Sequence, residues 1–243
     1  MIFRRRRKNE PAPEVEEPSE SEESAQAEST DDSAAEETAE GELDIALLDS
    51  RNWRGAGPWD VTEIDLDLEP LPGRARIDLG SMIITGFGGM ELRLQVAEET
   101  QQIISAMLIH GDSALELGAY AAPRSGGLWP ELRDEIIEEA TASGGSAALV
   151  EGPFGVELRR ILPVTTPDGE QGYQPSRMWM VEGPRWMLRG ILYGQAAVLE
   201  GLEPPVSDLL TAFREVVVRR GDEAKAPGDL LPLSIPADVE PAG

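Results

Sequence analysis

The sequence predicts an α+β domain: a mainly antiparallel sheet with two principal helices, preceded by a disordered acidic N-terminal tail. Three observations predict it. Apolar and polar residues alternate with period two along several segments, most clearly Met90-Glu91-Leu92-Arg93-Leu94-Gln95-Val96. Two stretches of helical periodicity stand apart from these strands rather than alternating with them, which favours antiparallel pairing. Charge is unevenly placed. The 243-residue chain has a net charge of −25, yet Arg4, Arg5, Arg6, Arg7 and Lys8 supply five of its 21 basic residues, and residues 9–42 hold 14 acidic residues and no basic one.

Residues 1–42 are rich in Glu, Ser, Ala and Pro. They lack the apolar surface that would offset chain entropy, so the expectation is a basic-then-acidic disordered tail. The folded domain is expected over residues 43–236, with 237–243 disordered. If Glu63-Ile64-Asp65-Leu66-Asp67-Leu68-Glu69 were a strand, four carboxylates would share one face. That row has the oxygen donors of a hard cation site, but it is equally a solvated strand face, and no metal is expected. After the strand at 90–96, residues 102–110 and 113–121 read as strands, with Gly111-Asp112 as a two-residue hairpin between them.

A helix follows, with Pro130 in its first turn and Gly144-Gly145 ending it. Trp129, Leu132, Ile136, Ile137 and Ala140 form its apolar stripe. Strands return at 147–151, 156–164, 176–182 and 186–193. A second helix is expected after Ser207 as N-cap, with Leu209, Leu210 and Phe213 inward. Val216-Val217-Val218 reads as a short strand because three β-branched residues crowd a helix. The prolines of Leu230-Leu231-Pro232-Leu233-Ser234-Ile235-Pro236 forbid a helix, so that segment should lie extended across the domain surface.

Composition excludes much chemistry. With no Cys and one His, there is no thiolate nucleophile, no Cys-based metal site and no site needing two His ligands. The part after residue 42 holds 32 acidic and 16 basic residues, so nucleic-acid binding by the folded domain is not expected. No uncharged apolar stretch approaches the roughly 18 residues of a spanning helix. The cysteine-free composition suits a reducing compartment, and the expected location is cytoplasmic. Arg4 to Lys8 could make weak contact with a membrane surface, though the acidic run beside them neutralises the cations. Oligomeric state is not legible.

Four constellations remain. His110 lies beside Asp112 and Ser113 at a turn, where an ordinary turn His is the simpler account. Gly86-Phe87-Gly88-Gly89 precedes a strand rather than a helix and lacks dinucleotide spacing. Arg124-Ser125-Gly126-Gly127 sits just before a helix, where backbone N–H groups attract anions. Arg93, Arg159, Arg185 and Arg189 would join that loop if their strands were neighbours; otherwise they pair with carboxylates such as Glu91 and Glu157 across strands. Finally, Trp59, Trp129 and Trp186 lie beside Pro or Gly, as protein-binding platforms or as core edges.

Several longer motifs occur together: Gly57-Pro58-Trp59-Asp60, Arg76-Ile77-Asp78-Leu79-Gly80-Ser81, Ala121-Ala122-Pro123-Arg124-Ser125-Gly126, Gly152-Pro153-Phe154-Gly155-Val156-Glu157-Leu158, Gly183-Pro184-Arg185-Trp186-Met187-Leu188-Arg189-Gly190 and Leu231-Pro232-Leu233. On these the chain resembles an actinobacterial family of uncharacterised proteins, the domain of unknown function 3710. The resemblance implies a basic-then-acidic tail and transfers no catalytic residue or cofactor. The reading that follows is a cytoplasmic, non-catalytic module that binds another protein. The alternative is an anion or small-molecule binding domain, possibly an enzyme, using the Arg124–Gly127 loop and the strand arginines. No cofactor is expected in either.

Overall fold

The computed structural model describes residues 43–235; the expected tail at 1–42 and the expected C-terminal end at 236–243 lie outside the described residues. In chain order the elements are α1 (Ile45–Asp49), β1 (Trp59–Asp60), β2 (Arg74–Asp78), β3 (Met82–Phe87), β4 (Met90–Val96), β5 (Ile103–His110), β6 (Ser113–Ala121), α2 (Leu128–Ala142), β7 (Ser146–Gly152), β8 (Gly155–Thr165), β9 (Gln171–Gly183), β10 (Trp186–Gly194), α3 (Gln195–Val198), α4 (Val206–Arg214) and β11 (Val217–Val218). The fold is α+β. Seven strands form one antiparallel sheet in the order β4-β5-β6-β10-β9-β8-β7, and β1-β11-β3-β2 form a smaller one. β1 and β11 pair in parallel, and the other pairings between these strands are antiparallel.

Connectivity explains the strand order. β4, β5 and β6 run as a meander, and so do β7 to β10. The two meanders meet where β10 pairs with β6, from Trp186 opposite Ala121 to Gly194 opposite Ser113. α2 must therefore carry the chain from the sheet centre to its far edge, and it packs on β7, β8 and β9 on the way. Trp129 and Ala140 are buried there, with Leu132, Ile136 and Ile137 packed at the margin, so the expected stripe is the buried stripe.

The opposite face of the large sheet carries the main core. Leu115, Leu117, Leu188 and Leu192 meet Met82 and Ile84 of the small sheet and Leu209 and Phe213 of α4. Phe154, Trp179 and Phe213 form an aromatic trio with centroids 4.9–5.9 Å apart, in tilted and edge-on contacts that suit their quadrupoles. Gly190 lies under Phe213; a Cβ there would sit 2.6 Å from the ring.

A charged knot is enclosed beside this trio. Glu157 and Arg177 are each 1% exposed. Glu157 Oε1 accepts from Arg177 Nε at 2.8 Å and Arg159 Nε at 2.9 Å, and Oε2 accepts from Arg177 Nη2 at 3.0 Å and Trp179 Nε1 at 2.7 Å. Arg177 also donates to the carbonyls of Leu199 and Gly201, which fastens the segment after α3 to the sheet.

Four expectations are corrected. Residues 63–69 are turns, not a strand. Asp65 Oδ1 accepts the Asp67 N–H at 3.0 Å, a local turn bond, while Glu63 pairs with Arg54, so the four carboxylates share no face. α4 starts at Val206 after Pro205, and Ser207 lies inside its first turn rather than capping it. β2 and β3 were not expected: Met82-Ile83-Ile84-Thr85 is buried at every position and so shows no alternation. The apolar C-terminal segment is extended but does not lie across the surface. β5 and β6 pair only from Ala106 opposite Leu117 onward, and residues 229–233 fill the gap above. Leu231 N–H donates to Ala119 O and Ala121 N–H to Asp229 O, both at 2.8 Å, and Leu233 bridges Gly80 and Ile103. Leu231 and Leu233 are core residues.

Candidate functional site

The residues of α1 and the loop after it place Trp53 against the sheet. Trp53 Nε1 donates to Leu48 O at 2.8 Å, and its ring lies beside Gly155, where a Cβ would come within 2.7 Å of it. Arg133 of α2 makes a two-pronged pair with Asp49 at 3.1 and 3.0 Å, so α1 is held against α2. Between them lies a groove of about 310 Å3, within the range of small-ligand sites. Its floor is apolar, with Trp53, Trp129, Phe154 and Met180, and its rim carries Arg51, Ser125 and Glu182.

The start of α2 is answered from within the protein. Glu182 Oε1 accepts the Trp129 N–H at 2.8 Å. Gly127 is the N-cap at φ +87°, a left-handed conformation that glycine adopts without strain, and it offers no capping side chain. The second carboxylate oxygen of Glu182 is enclosed and has no hydrogen-bond donor. Gly126 covers it; a Cβ there would stand 3.2 Å away. A helix start that already faces a carboxylate does not favour a second anion.

The other rim charges differ in how far they are engaged. Arg54 pairs with Glu63, Nη2 to Oε1 at 2.6 Å, and that hydrogen bond holds the Glu63 carboxyl below the usual range against the opposing effect of burial. Arg51 makes no ion pair among the described residues, and its guanidinium lies over the Trp53 ring at 5.8 Å. Among the described residues the arrangement pairs an aromatic floor with a guanidinium, Arg51, that has no carboxylate partner.

Of the residues singled out in the sequence, Ser125, Gly126, Gly127 and Trp129 converge on this groove. Arg124 is exposed on the same loop and is not among its lining residues. The strand arginines do not join them. Arg93 pairs with Glu91 two residues back on the edge strand β4, Nε to Oε1 at 2.8 Å. Arg159 pairs with Glu157, again along one strand rather than across two, and Arg189 pairs across strands with Glu116 at 3.0 Å. Arg185 sits in the β9–β10 turn at φ 64°, where its carbonyl accepts from Ala122 N–H and Arg220 Nε.

Trp186 is fully buried and donates to Asp60 Oδ2 at 2.7 Å, and Trp129 is 6% exposed, so neither offers a broad face to a partner. Trp59 is half-buried beside a separate hollow next to β2. His110 faces Asp208 at 3.4 Å, and the Ser113 hydroxyl accepts the Ala196 N–H, so the Ser-His-Asp arrangement does not assemble. Trp53, Arg51 and Glu182 were missed. The run Arg51-Asn52-Trp53-Arg54 was a legible signal, an aromatic between two cations; Glu182 was not, because it acts 53 positions from its partner.

Among the described residues no helix is long and apolar enough to cross a membrane, and no group of three or more His, Asp or Glu is placed to hold a metal ion. No curated protein matches the chain. Among solved structures, it is similar to the solution structure of cyanobacterial PsbP (CyanoP) from Synechocystis sp. PCC 6803, at 10% identity and a TM-score of 0.35, over 61% of this chain and 94% of that one. One family match spans residues 57–242. The chain therefore belongs to the family described as Protein of unknown function (DUF3710).

Proposed function

We propose that this protein is a non-catalytic binding module that grips a segment of another protein in the groove between α1 and the start of α2. The observation that carries the reading is the pairing of an apolar aromatic floor with a rim cation that makes no ion pair among the described residues, Arg51 over Trp53. Buried aromatics and Arg are the side chains that dominate protein recognition. The neighbouring charges Asp49 and Arg54 are committed to structural pairs, which supports recognition over turnover. The partner expected is a short segment that inserts one apolar side chain and places a carbonyl or carboxylate near Arg51. A free anion held by Arg124 and the helix start is the weaker reading, because Glu182 occupies that start. The acidic balance of the body argues against nucleic acid as the partner. The cytoplasmic setting and the actinobacterial source, the latter implied by the family resemblance, are part of the same proposal, and 19 Arg against 2 Lys suits a GC-rich bacterial genome.

The test is affinity purification from the native host, followed by measurement of the purified pair. Trp53→Ala should weaken binding at least tenfold, and Arg93→Ala, on the far edge of the sheet, should leave it unchanged. Equal affinity for wild type and Trp53→Ala would reject the groove. Stabilisation by phosphate that Arg124→Ala abolishes would favour the anion reading instead.

A further inference from the structure

The face of the large sheet that carries α2 also holds a cluster in which one arginine, Arg160, makes no ion pair among the described residues. The register places Arg160 of β8 opposite Ser176 of β9, and Arg159 opposite Arg177, which lies opposite Leu192 of β10. Side chains alternate, so Arg160, Ser176 and Tyr193 share the α2 face while Arg159, Arg177 and Leu192 share the other. Glu116, Tyr120 and Arg189 are on the same side as Arg160, because β6 and β10 pair in register.

The cluster holds two guanidinium groups and one carboxylate in hydrogen-bonding order. Glu116 is engaged at both oxygens: Oε1 accepts from Arg189 Nη2 at 3.0 Å and Oε2 from the Tyr193 hydroxyl at 3.3 Å. Arg189 also stacks over Tyr120 at 5.2 Å, which fixes the plane of its guanidinium. Arg160 makes no hydrogen bond or ion pair among the described residues. Its Nε is enclosed without an acceptor, and so is the Nε of Arg189. Burial chiefly disfavours the Arg160 cation and the neighbouring charge of Arg189 adds to that, while Tyr193, Glu139 of α2 and Glu116 favour it without bonding to it. A partly buried cation with no directly bonded carboxylate among the described residues is costly.

We propose that Arg160, flanked by Arg189, Tyr193 and Ser176, is the receptor for one oxyanion group of a ligand, a carboxylate or a phosphate, on the sheet face beside α2. Arg160 supplies the two-pronged contact that a planar guanidinium makes with two oxygens. Arg189 adds charge from a position fixed by Glu116 and Tyr120. Ser176 brings a hydroxyl group to the same patch, and the Tyr193 ring borders it with its hydroxyl donated to Glu116; burial first, and then Glu116, push the Tyr193 phenol up to about 12. This site is separate from the groove at the start of α2 and does not depend on it.

The experiment is thermal melting of the full chain at constant ionic strength, titrated with inorganic phosphate in one arm and succinate in another, against chloride. One of the two should raise the melting temperature saturably, and the arm that saturates at lower concentration identifies the group. Arg160→Gln should abolish the rise, while Arg93→Gln and Trp53→Ala should keep it; loss in Arg160→Gln with retention in Trp53→Ala separates this site from the groove. No saturable rise in either arm, or a rise that survives in Arg160→Gln, overturns the proposal. Should Arg160→Gln not fold, calorimetric titration of Arg160→Lys decides: binding at least about tenfold weaker supports the two-pronged contact, and unchanged affinity overturns it.

Discussion

Replacing Glu157 by Gln should destabilise the protein by about 3–5 kcal/mol, the cost of removing one partner from a buried ion pair. The figure follows from the four bonds at this carboxylate, two to each oxygen. Glutamine keeps the shape but has one acceptor oxygen. Whichever way the amide turns, its NH2 group points at two N–H donors, so two bonds are lost. Bonds to charged groups contribute roughly 1.5–3 kcal/mol each, which gives the same range from the other direction. Arg177, 1% exposed, meanwhile keeps its charge with no counter-ion. The assay is urea unfolding followed by tryptophan fluorescence. With slopes of about 1–3 kcal/mol per molar urea, the midpoint should fall by at least about 1 M. A loss below about 1 kcal/mol would refute the reasoning. It would mean that the carbonyls of Leu199 and Gly201 alone satisfy Arg177.

Gly190→Ala should cost about 1–3 kcal/mol in the same assay, because its methyl group would meet the Phe213 ring, and a partial recovery is expected when Phe213→Leu is added. Glu63→Gln should flatten the acid side of the stability profile. The carboxyl is lowered in the folded state by its hydrogen bond from Arg54, so its contribution is complete above the ordinary glutamate value of about 4.3 and is lost as pH falls through the lowered value. Both side chains are partly exposed, which limits the effect to about 1 kcal/mol or less, and a profile unchanged below pH 4 would contradict the pairing. Tyr193 should still be protonated at pH 11. The phenolate absorbance of Tyr193→Phe should match wild type there and fall below it only towards pH 12.

Most of the large sheet was legible because half-buried antiparallel strands write their burial into the sequence. β6 does so at Leu115, Leu117, Ala119 and Ala121, all inward and fully buried. The small sheet was not. Arg74-Ala75-Arg76 looks like surface, and the unbroken apolar run of β3 carries no period. The row at 63–69 misled for the opposite reason: tight turns produced an alternation that no strand underlies. The loop before α2 was placed correctly in the chain, but its electrostatics were not, because Glu182 reaches the helix start from β9. Convergence of the strand arginines depended on strand order. With β10 inserted beside β6, Arg93 and Arg159 fall near opposite ends of seven strands. Pairing across such distances in the chain cannot be read from local pattern.

The wedge formed by residues 229–233 has a consequence for biosynthesis. Ser81 and Leu231 touch across 150 positions of chain, and the upper half of β6 finds its second neighbour only in this late segment. While a ribosome is still translating the preceding helices, the central strands have an open seam with unsatisfied amides. Closure therefore has to wait until residues 229–233 have been made. A nascent or prematurely stopped product would expose that seam to any passing β-strand, including its own copies on a polysome.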